Sequence, residues 1–235
     1  MILDRPAHAR GQARTGWLDS RHTFSFGHYY DPAWMGFGPL RVINEDRVAP
    51  GAGFPTHGHA NMEILSYVLV GALSHRDSSG GGGVIGAGEL QWMSAGHGVQ
   101  HSEFNPSDAE PVHFLQIWIQ PDRSNAAPAY AQRSFAARGR GEWILLASPD
   151  GAGDSLPIRQ DARLKAVRLG AGERIEHPLE ADRRYWLHAA RGRLEAAGRS
   201  LSAGDAIGLV DEGGTLAVAG TGDEEAELLL FDLPR

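Results

Sequence analysis

Residues 51–75 read GAGFPTHGHANMEILSYVLVGALSH, and this stretch decides the fold. Its apolar run extends only from Met62 to Val70, and turn-forming residues bound the run, Asn61 before it and Gly71 after it. Short apolar runs between such residues are typical of β-strands, whereas a helix repeats its apolar positions about every three to four residues over several turns. The stretch therefore predicts a strand, a tight turn and a second strand.

The same pattern recurs along the whole chain. Short apolar runs bounded by Gly, Pro, Asn or Asp occupy residues 40–44, 112–119, 143–147 and 228–231. Helical spacing is scarce, and its best example is a stretch over 126–138 that stops before a glycine. Many strands with turn residues about every 8 to 12 positions favour an all-β fold, a sandwich or a barrel, with few short helices.

A weak internal repeat indicates two such units in one chain. In the first half a strand and hairpin lead to Gly88-Glu89 and another strand, and in the second half Gly204-Asp205 stands in the corresponding position. The stretch between the halves is rich in Ala, Arg, Asn and Pro, as connectors are. We therefore predict an N-terminal metal-binding domain over 1–125, a connector over 126–140 and a C-terminal domain over 141–235.

The composition excludes several kinds of chemistry. With no cysteine, the chain has no disulfide, no thiol nucleophile and no Cys-ligated metal or iron–sulfur cluster. Asp and Glu outnumber Lys and Arg by 29 to 22, so neither nucleic acid nor an anionic membrane is expected to bind directly. The first residues are soon interrupted by charge and proline and are not expected to form a signal peptide, and no apolar run reaches the roughly 18 residues of a membrane-spanning helix. A cytoplasmic location is expected.

Two pairs of residues carry the chemistry. His57 and His59 form an i, i+2 pair, and about forty residues later His101 and Glu103 form another. Because successive side chains of a strand point to opposite faces, each pair shares one face of its strand. Two such pairs on neighbouring strands of a small barrel can converge on one point. Three imidazoles and one carboxylate suit a borderline divalent metal and leave coordination positions free.

We therefore predict one divalent metal ion held by His57, His59, His101 and Glu103. Fe(II) is the first choice, because this donor set resembles the oxygen-activating sites of non-heme iron enzymes. Sites with nitrogen and oxygen donors also accept Mn, Co, Ni, Cu and Zn, so these metals are the alternatives. Nine of the 11 histidines lie at or before His113, which places the chemistry in the first half of the chain.

Other residues near these pairs have more ordinary interpretations. Glu63 either orients a ligand histidine or is an exposed strand carboxylate, and His97 is expected to lie outside the site. Phe54, Trp92 and Met93 are either cavity walls or core residues. Four histidines without paired spacing are expected to be hydrogen-bonded structural residues: His22, His28, His75 and His113.

Longer stretches around the two pairs resemble one family. The pattern from Gly51 through His57 and His59 to Glu63 matches G(x)5HxH(x)3E, the first cupin motif, and His101 corresponds to the histidine of the second. The wider resemblance is to the pirin family of two-cupin proteins. It rests on GWLDS at 16–20, HTFSF at 22–26, YYDP at 29–32, RVINED at 41–46, FPTHGH at 54–59 and QWMSAGHGVQHSE at 91–103.

The resemblance implies two cupin barrels, each a double-stranded β-helix or jelly roll. The metal ligands it implies are the same four, His57, His59, His101 and Glu103. The second half has only His177 near the equivalent place, with no His-x-His pair, and so resembles a cupin that lacks metal ligands. Its expected role is structural, such as closing the first barrel or covering a strand edge.

Bacterial pirin-like proteins of this kind are assigned quercetin 2,3-dioxygenase activity. The resemblance therefore implies an oxidoreductase that opens the ring of a flavonol such as quercetin with O2, releasing carbon monoxide and leaving a depside. Glu103 is then the catalytic base that takes the proton of the substrate hydroxyl. The alternative is a metal-binding regulatory protein that acts on a protein partner as a redox or metal sensor, and a cupin isomerase is a third candidate.

Overall fold

The computed structural model describes residues 1–235, and its regular secondary structure is almost entirely β-strand. Its two helices are single 3-10 turns, Ala7–Ala9 and Ala152–Asp154, and no helix of the chain has the length and apolar character needed to cross a membrane. The strands are β1 (Ile2–Arg5), β2 (Gly11–Arg14), β3 (Leu18–His22), β4 (Leu40–Val48), β5 (Gly53–His59), β6 (Glu63–Val70), β7 (Ala72–Asp77), β8 (Gly82–Gly86), β9 (Glu89–Ser94), β10 (Val99–Phe104), β11 (Val112–Ile119), β12 (Ala129–Ser134), β13 (Ile144–Ser148), β14 (Leu156–Pro157), β15 (Arg163–Leu169), β16 (Arg174–Leu179), β17 (Arg183–Arg191), β18 (Arg193–Ala196), β19 (Arg199–Ser202), β20 (Ala206–Val210), β21 (Gly214–Gly220) and β22 (Ala226–Pro234).

The strands form two similar barrels. In the first, a seven-stranded sheet in the order β12-β9-β6-β11-β4-β3-β2 accompanies a four-stranded sheet in the order β5-β10-β7-β8. In the second, a seven-stranded sheet in the order β1-β20-β17-β22-β15-β13-β14 accompanies a four-stranded sheet in the order β16-β21-β18-β19. The pairing is antiparallel throughout, apart from the short parallel pair of β13 and β14. These sheets confirm the all-β architecture with two barrels and few short helices.

The apolar runs that predict strands lie in the centre of the sheets. The run at 112–119 is β11, the run at 62–70 contains β6, and the run at 40–44 begins β4. These three strands are neighbours in one sheet, and most of their residues are buried on both faces. Burial on both faces explains why the runs are almost continuous instead of alternating with polar residues.

The expected short helix over 126–138 is wrong. Residues 129–134 form β12, which pairs along its whole length with β9, from Ala129 opposite Ser94 to Ser134 opposite Glu89. The backbone of β9 would otherwise end the sheet with unpaired N–H and C=O groups, and pairing with a distant strand outweighs the helical preference of an Ala-rich and Arg-rich segment. The predicted connector thus carries a strand of the first barrel.

The two barrels pack together through a shared apolar core. One cluster of 27 buried residues draws side chains from the seven-stranded sheets of both halves. At its centre Trp186 of β17 packs against Phe24, Phe37 and Trp34, with ring centroids 5.0, 5.2 and 6.1 Å away. The N-terminal strand β1 crosses to the second barrel, where it pairs with β20. The division into 1–125, 126–140 and 141–235 stays a prediction.

Candidate metal centre and its cavity

Two neighbouring strands bring the three predicted histidine ligands together. His57 and His59 lie on β5 and His101 lies on β10, and the antiparallel register places His101 directly opposite His57. Ligand nitrogens of the three rings all lie within 4.8 Å of one another. The i, i+2 spacing therefore acts as strand geometry predicts, because it turns both rings of β5 and the ring of β10 toward one point.

A bulge beside Pro55 shapes this strand pair. The register shifts between His101 and Glu103, so that Glu103 stands opposite Phe54 and β5 carries one residue more than β10 in this interval. Proline has no N–H to donate to the ladder, and a bulge is one of the places where a strand tolerates it. Because of the extra residue, Phe54 and His57 both line one cavity although they are three positions apart.

The hydrogen bond of His57 to a backbone carbonyl leaves its other ring nitrogen free to bind a metal. Nδ1 of His57 lies 2.8 Å from the carbonyl oxygen of Pro55, and since a carbonyl only accepts, Nδ1 carries the hydrogen and Nε2 of the neutral ring is free. That Nε2 lies 3.0 Å from Nε2 of His101. Two nitrogens bound at right angles to one ion at about 2.1 Å lie about 3.0 Å apart. The imidazoles therefore fit a divalent metal ion.

Burial keeps two of these rings in the neutral form that binds metals. Burial, followed by the nearby ring of His57, lowers the pKa of His59 to about 4. Burial also lowers the pKa of His101 to about 2, and the neighbouring rings, among them His75, add to the effect. At neutral pH both rings therefore offer a lone pair without first losing a proton.

Glu103 lies in the same cavity but outside the group of three imidazoles. Its buried carboxylate accepts a hydrogen bond of 3.0 Å from the Ser66 hydroxyl on Oε1 and one of 2.8 Å from Nε2 of Gln116 on Oε2. Burial raises the pKa of Glu103 to about 7, although the bond from Ser66 acts in the opposite direction. A nearby cation favours the charged carboxylate. The role of Glu103 as a fourth ligand stays a prediction.

His57 and His59 line a cavity of about 430 Å3. Phe54 lines it, and Trp118 stands edge-on to both His59 and Phe26, with ring centroids 4.9 and 5.4 Å apart. Cavities with aromatic walls and a few placed polar groups are typical binding sites for small organic molecules. The geometry thus combines a metal-binding cluster with space for a flat ligand.

Several polar residues of the cavity have no ligand spacing in the sequence that marks them as site residues. Asn44 and Asp46 line it from β4, Ser20 from β3 and Gln116 from β11. Ser20, Asn44 and Asp46 lie in the stretches GWLDS and RVINED that resemble the pirin family. Their physical signal is polarity at inward positions of strands that are otherwise apolar, as in the i, i+2 spacing of Asn44 and Asp46. That signal identifies a strand face but not the cavity that the face encloses.

Histidines expected to be structural divide into two groups. His22 and His28 line the cavity, and Nε2 of His75 lies 3.1 Å from Nδ1 of His101, one of the predicted ligands. His113, in contrast, hydrogen-bonds a buried carboxylate of β4 at 2.9 Å, in the structural role expected of it. Three of the four single histidines therefore belong to the surroundings of the metal cluster.

Both interpretations of Glu63 are wrong. Glu63 is 1% exposed, and its carboxylate accepts hydrogen bonds from Nε1 of Trp92 at 2.7 Å, from the Ser94 hydroxyl at 2.5 Å and from the backbone N–H of Arg159 at 3.1 Å. None of these donors is a ligand histidine. The pairing of β6 with β9 explains these contacts, because it places Glu63 opposite Ser94. The bond from Arg159 also links the Glu63 carboxylate to the second barrel.

Two further aromatic or apolar candidates lie away from the cavity. Trp92 belongs to the core shared by the two barrels, and Met93 belongs to a smaller cluster with Ile64, Ala95 and Val99. His97, expected outside the site, is exposed on the turn before β10. Of the three candidate wall residues, Phe54 alone lines the cavity.

The second barrel has a different environment at the equivalent place. His177 on β16 is buried and packs against Trp143 and Tyr185, with ring centroids 5.3 and 6.2 Å away. Burial, with a further contribution from Lys165, lowers the pKa of His177 to about 4. Aromatic packing of a neutral ring is a structural role, and the absence of metal ligands from this half stays a prediction.

Comparison with known proteins relates the chain to one family over almost its whole length. The family model described as Pirin matches residues 5–119, and the model described as Quercetinase C-terminal cupin domain matches residues 145–233. A protein of Escherichia coli strain K12 named quercetin 2,3-dioxygenase is 46% identical over 234 residues, which cover 100% of this chain and 99% of that protein.

Solved structures agree with this relationship. The crystal structure of YhhW from Escherichia coli has a TM-score of 0.94 and 45% identity, with coverage of 100% of this chain and 98% of that one. The structure of bacterial pirin YhhW from the same organism in complex with nickel(II) has a TM-score of 0.92 and 46% identity, with coverage of 100% and 99%. The two barrels are therefore cupin domains, and the chain belongs to the pirin family.

Proposed function

We propose that the protein is a metal-dependent dioxygenase that opens the ring of a flavonol such as quercetin with O2. The observation that carries this proposal is the group of three imidazoles, whose nitrogens lie within 4.8 Å of one another beside an aromatic cavity. The name quercetin 2,3-dioxygenase of the Escherichia coli relative supports it at the level of the family. The products expected from quercetin are carbon monoxide and a depside.

The metal of this proposal is Fe(II), held by His57, His59, His101 and Glu103. Three nitrogen donors and one oxygen donor suit Fe(II) and leave positions free, and Mn, Co, Ni, Cu and Zn are alternatives for the same donor set. The nickel(II) complex of the YhhW pirin supports a divalent ion in this family. When bound, such an ion acts as a Lewis acid that lowers the pKa of a substrate hydroxyl and supports chemistry with O2.

Glu103 is the base in this proposal. It accepts the proton of the substrate hydroxyl, because a bound cation would keep its carboxylate in the charged form that accepts a proton. Ser66 and Gln116 each donate one hydrogen bond to a different carboxylate oxygen, which fixes the plane of the carboxylate and leaves a further lone pair on each oxygen. These two residues therefore position the base.

The aromatic wall orients the substrate. Trp118 and Phe26 meet at 85°, and a flat ring that enters the cavity has the face of one side chain and the edge of the other within reach. Apolar walls also exclude water from the reacting ring, which strengthens the interaction between a substrate anion and a cation. The wall thus supports ring-opening of a flat, electron-rich compound.

Oxygen consumption by metal-loaded protein tests this proposal. Protein reconstituted separately with Fe(II) and with Ni(II) is expected to take up O2 in the presence of quercetin and to release carbon monoxide. His101→Ala is expected to reduce uptake to the metal-free level, because it removes one of three ring donors. His97→Ala is the matched control, since this histidine is exposed and lies outside the group.

Two results would overturn the proposal. One is a fully loaded protein that takes up no O2 with any flavonol, which would favour the alternative of a metal-binding regulatory protein with a protein partner. The other is uptake that His101→Ala and His97→Ala reduce equally, since the reaction would then not depend on the imidazole group.

A further inference from the structure

A row of buried polar residues crosses the large sheet of the first barrel. Ser66 on β6, Gln116 on β11, Asn44 on β4 and His22 on β3 stand directly opposite one another in successive strand pairs. Residues paired in this way share one face of a sheet. At one end of the row Ser66 and Gln116 each donate a hydrogen bond to the buried carboxylate of Glu103, so the row faces the interior of the barrel.

The residues at the other end of the row line the cavity, and some of their buried polar atoms have no hydrogen-bond partner. Asn44, Asp46, Ser20 and His22 form a two-by-two patch on β4 and β3, and each is at most 5% exposed. Three buried atoms of this patch have no hydrogen-bond partner: Oδ1 of Asn44, Oδ1 of Asp46 and Nδ1 of His22. All four residues line the cavity that also contains the metal-binding cluster.

Buried polar atoms without partners are costly in a folded protein. Each costs about 1–3 kcal/mol of stability, and nearly all buried polar groups of native proteins have a partner. Other polar side chains of this barrel do find partners, since Ser66 and Gln116 each donate a hydrogen bond to the Glu103 carboxylate. Because this patch lines a cavity, a molecule that enters the cavity can supply the partners that these atoms lack.

We propose that Asn44, Asp46 and His22 form a binding subsite for hydroxyl groups on a ring of the substrate, with Asp46 as the residue that determines specificity. The inference rests on the proposed function, which places the reacting part of the substrate at the imidazoles. The subsite then selects flavonols that carry hydroxyl groups on a second ring over flavonols that carry none. Ser20, opposite Asp46, completes the patch.

Hydroxyl groups match this patch chemically. A hydroxyl both donates and accepts, so it satisfies a carboxyl in either protonation state, an amide in either orientation and a neutral imidazole through whichever nitrogen faces it. Burial raises the pKa of Asp46 to about 7, and no cationic side chain is among the four patch residues. A neutral polyhydroxylated ring therefore fits the subsite without bringing an uncompensated charge into it.

A comparison of two flavonols tests the subsite. Quercetin carries hydroxyl groups on both outer rings, whereas 3-hydroxyflavone carries only the reacting hydroxyl. Binding of each to Ni(II)-loaded protein is measured without O2 by titration, for the wild type, Asp46→Leu and Asp46→Asn. We expect Asp46→Leu to weaken quercetin binding about tenfold, the effect of about 1.4 kcal/mol, and to change 3-hydroxyflavone binding less than threefold.

The conservative variant and the metal titration complete the design. Asp46→Asn keeps a hydrogen-bonding side chain of the same size and is expected to recover most of the discrimination between the two flavonols. Unfolding curves and Ni(II) affinity show whether Asp46→Leu is folded. If it is not, Asn44→Leu takes its place in the same comparison of the two flavonols.

The outcomes separate the subsite from the proposed function. Equal effects of Asp46→Leu on both flavonols, or no effect on either, overturn the subsite and leave the patch as a place for bound water. Discrimination in binding without O2 uptake under aerobic conditions supports the subsite while it overturns the dioxygenase proposal. Discrimination in both binding and KM supports the two together.

Discussion

Nε2 of His75 lies 3.1 Å from Nδ1 of His101, and both side chains are buried. The bond occupies the nitrogen of His101 that points away from the other two imidazoles, so that Nε2 is the nitrogen that faces His57. His75 in turn stacks on Tyr130, with ring centroids 4.9 Å apart and planes inclined by 2°. Hydrogen bonds of this kind fix the orientation of metal-ligating histidines.

Replacement of His75 is therefore expected to weaken metal binding. His75→Phe preserves the ring that stacks on Tyr130 but removes the bond to His101, and we expect Ni(II) affinity to fall about 10-fold to 100-fold. Titration with Ni(II) and the visible spectrum of the bound ion measure the effect. Tyr130→Phe, which keeps the stacking, is the control. An unchanged affinity and spectrum for His75→Phe would show that His75 does not orient the ligand.

The two glycines of β5, Gly53 and Gly58, are expected to respond differently to replacement by alanine. A Cβ atom on Gly53 would lie 2.2 Å from the carbonyl oxygen of Glu103 and 2.6 Å from Cα of Phe104, so β5 and β10 would have to separate beside Glu103. A Cβ atom on Gly58 would meet nothing closer than the carbonyl oxygen of Val99 at 3.9 Å.

We expect Gly53→Ala to lower the free energy of unfolding by about 1–3 kcal/mol and to weaken Ni(II) binding, since backbone that is forced apart carries Glu103 with it. Gly58→Ala, although it lies between two ligand histidines, is expected to stay within about 0.5 kcal/mol of the wild type. Urea unfolding and Ni(II) titration of both variants provide the test. Equal destabilisation by the two substitutions would contradict the close approach at Gly53.

Those features of the fold that depend on neighbouring residues can be predicted from the sequence. Strands such as β11 and the shared direction of His57 and His59 follow from short apolar runs and i, i+2 spacing, because strand periodicity is a property of neighbouring residues. The pairing of β12 with β9 depends on residues about forty positions apart, and local preference favoured a helix there. Nothing within a single strand specifies which distant strand becomes its neighbour.

The candidate site divides in the same way. His57 and His59 are recognisable because they are close in sequence, whereas the polar row joins residues 22, 44, 66 and 116, which only the register of four strands brings together. Glu63 shows the converse. It occupies its position in a known motif, yet its carboxylate faces Trp92 and Ser94 because its strand neighbour is β9. Motif position predicted the strand but not the partner.

The contacts of Glu63 predict a stability defect without a metal defect. Glu63→Ala leaves Nε1 of Trp92, the hydroxyl of Ser94 and the backbone N–H of Arg159 without their acceptor, and we expect the free energy of unfolding to fall by about 2–4 kcal/mol. Ni(II) affinity is expected to stay unchanged. Glu176→Ala, which alters an exposed strand carboxylate, is the control and is expected to change stability by less than about 0.5 kcal/mol. A loss of Ni(II) affinity in Glu63→Ala would restore the view that this residue orients a ligand.

His188 predicts part of the dependence of stability on pH. Its ring is fully buried on β17, neither nitrogen has a hydrogen-bond partner, and burial, followed by the charge of Arg10, lowers its pKa to about 3. The ordinary pKa of an unfolded histidine is about 6.5. Between these two values the unfolded chain binds more protons than the folded one, so the free energy of unfolding falls as the pH is lowered.

His188→Leu removes this one titrating group while His22 and His177 titrate in both proteins, so the difference between the two curves isolates His188. We expect the wild type to lose up to about 1.4 kcal/mol more per pH unit than the variant between about pH 6 and pH 4. At pH 8 the variant is expected to be at least as stable, because leucine has no buried nitrogen that lacks a partner. Urea unfolding at pH 8, 6, 5 and 4 measures both effects. Parallel curves for the two proteins would contradict this prediction. They would mean that the ring of His188 gains a proton as easily in the folded chain, where it is buried, as in the unfolded one.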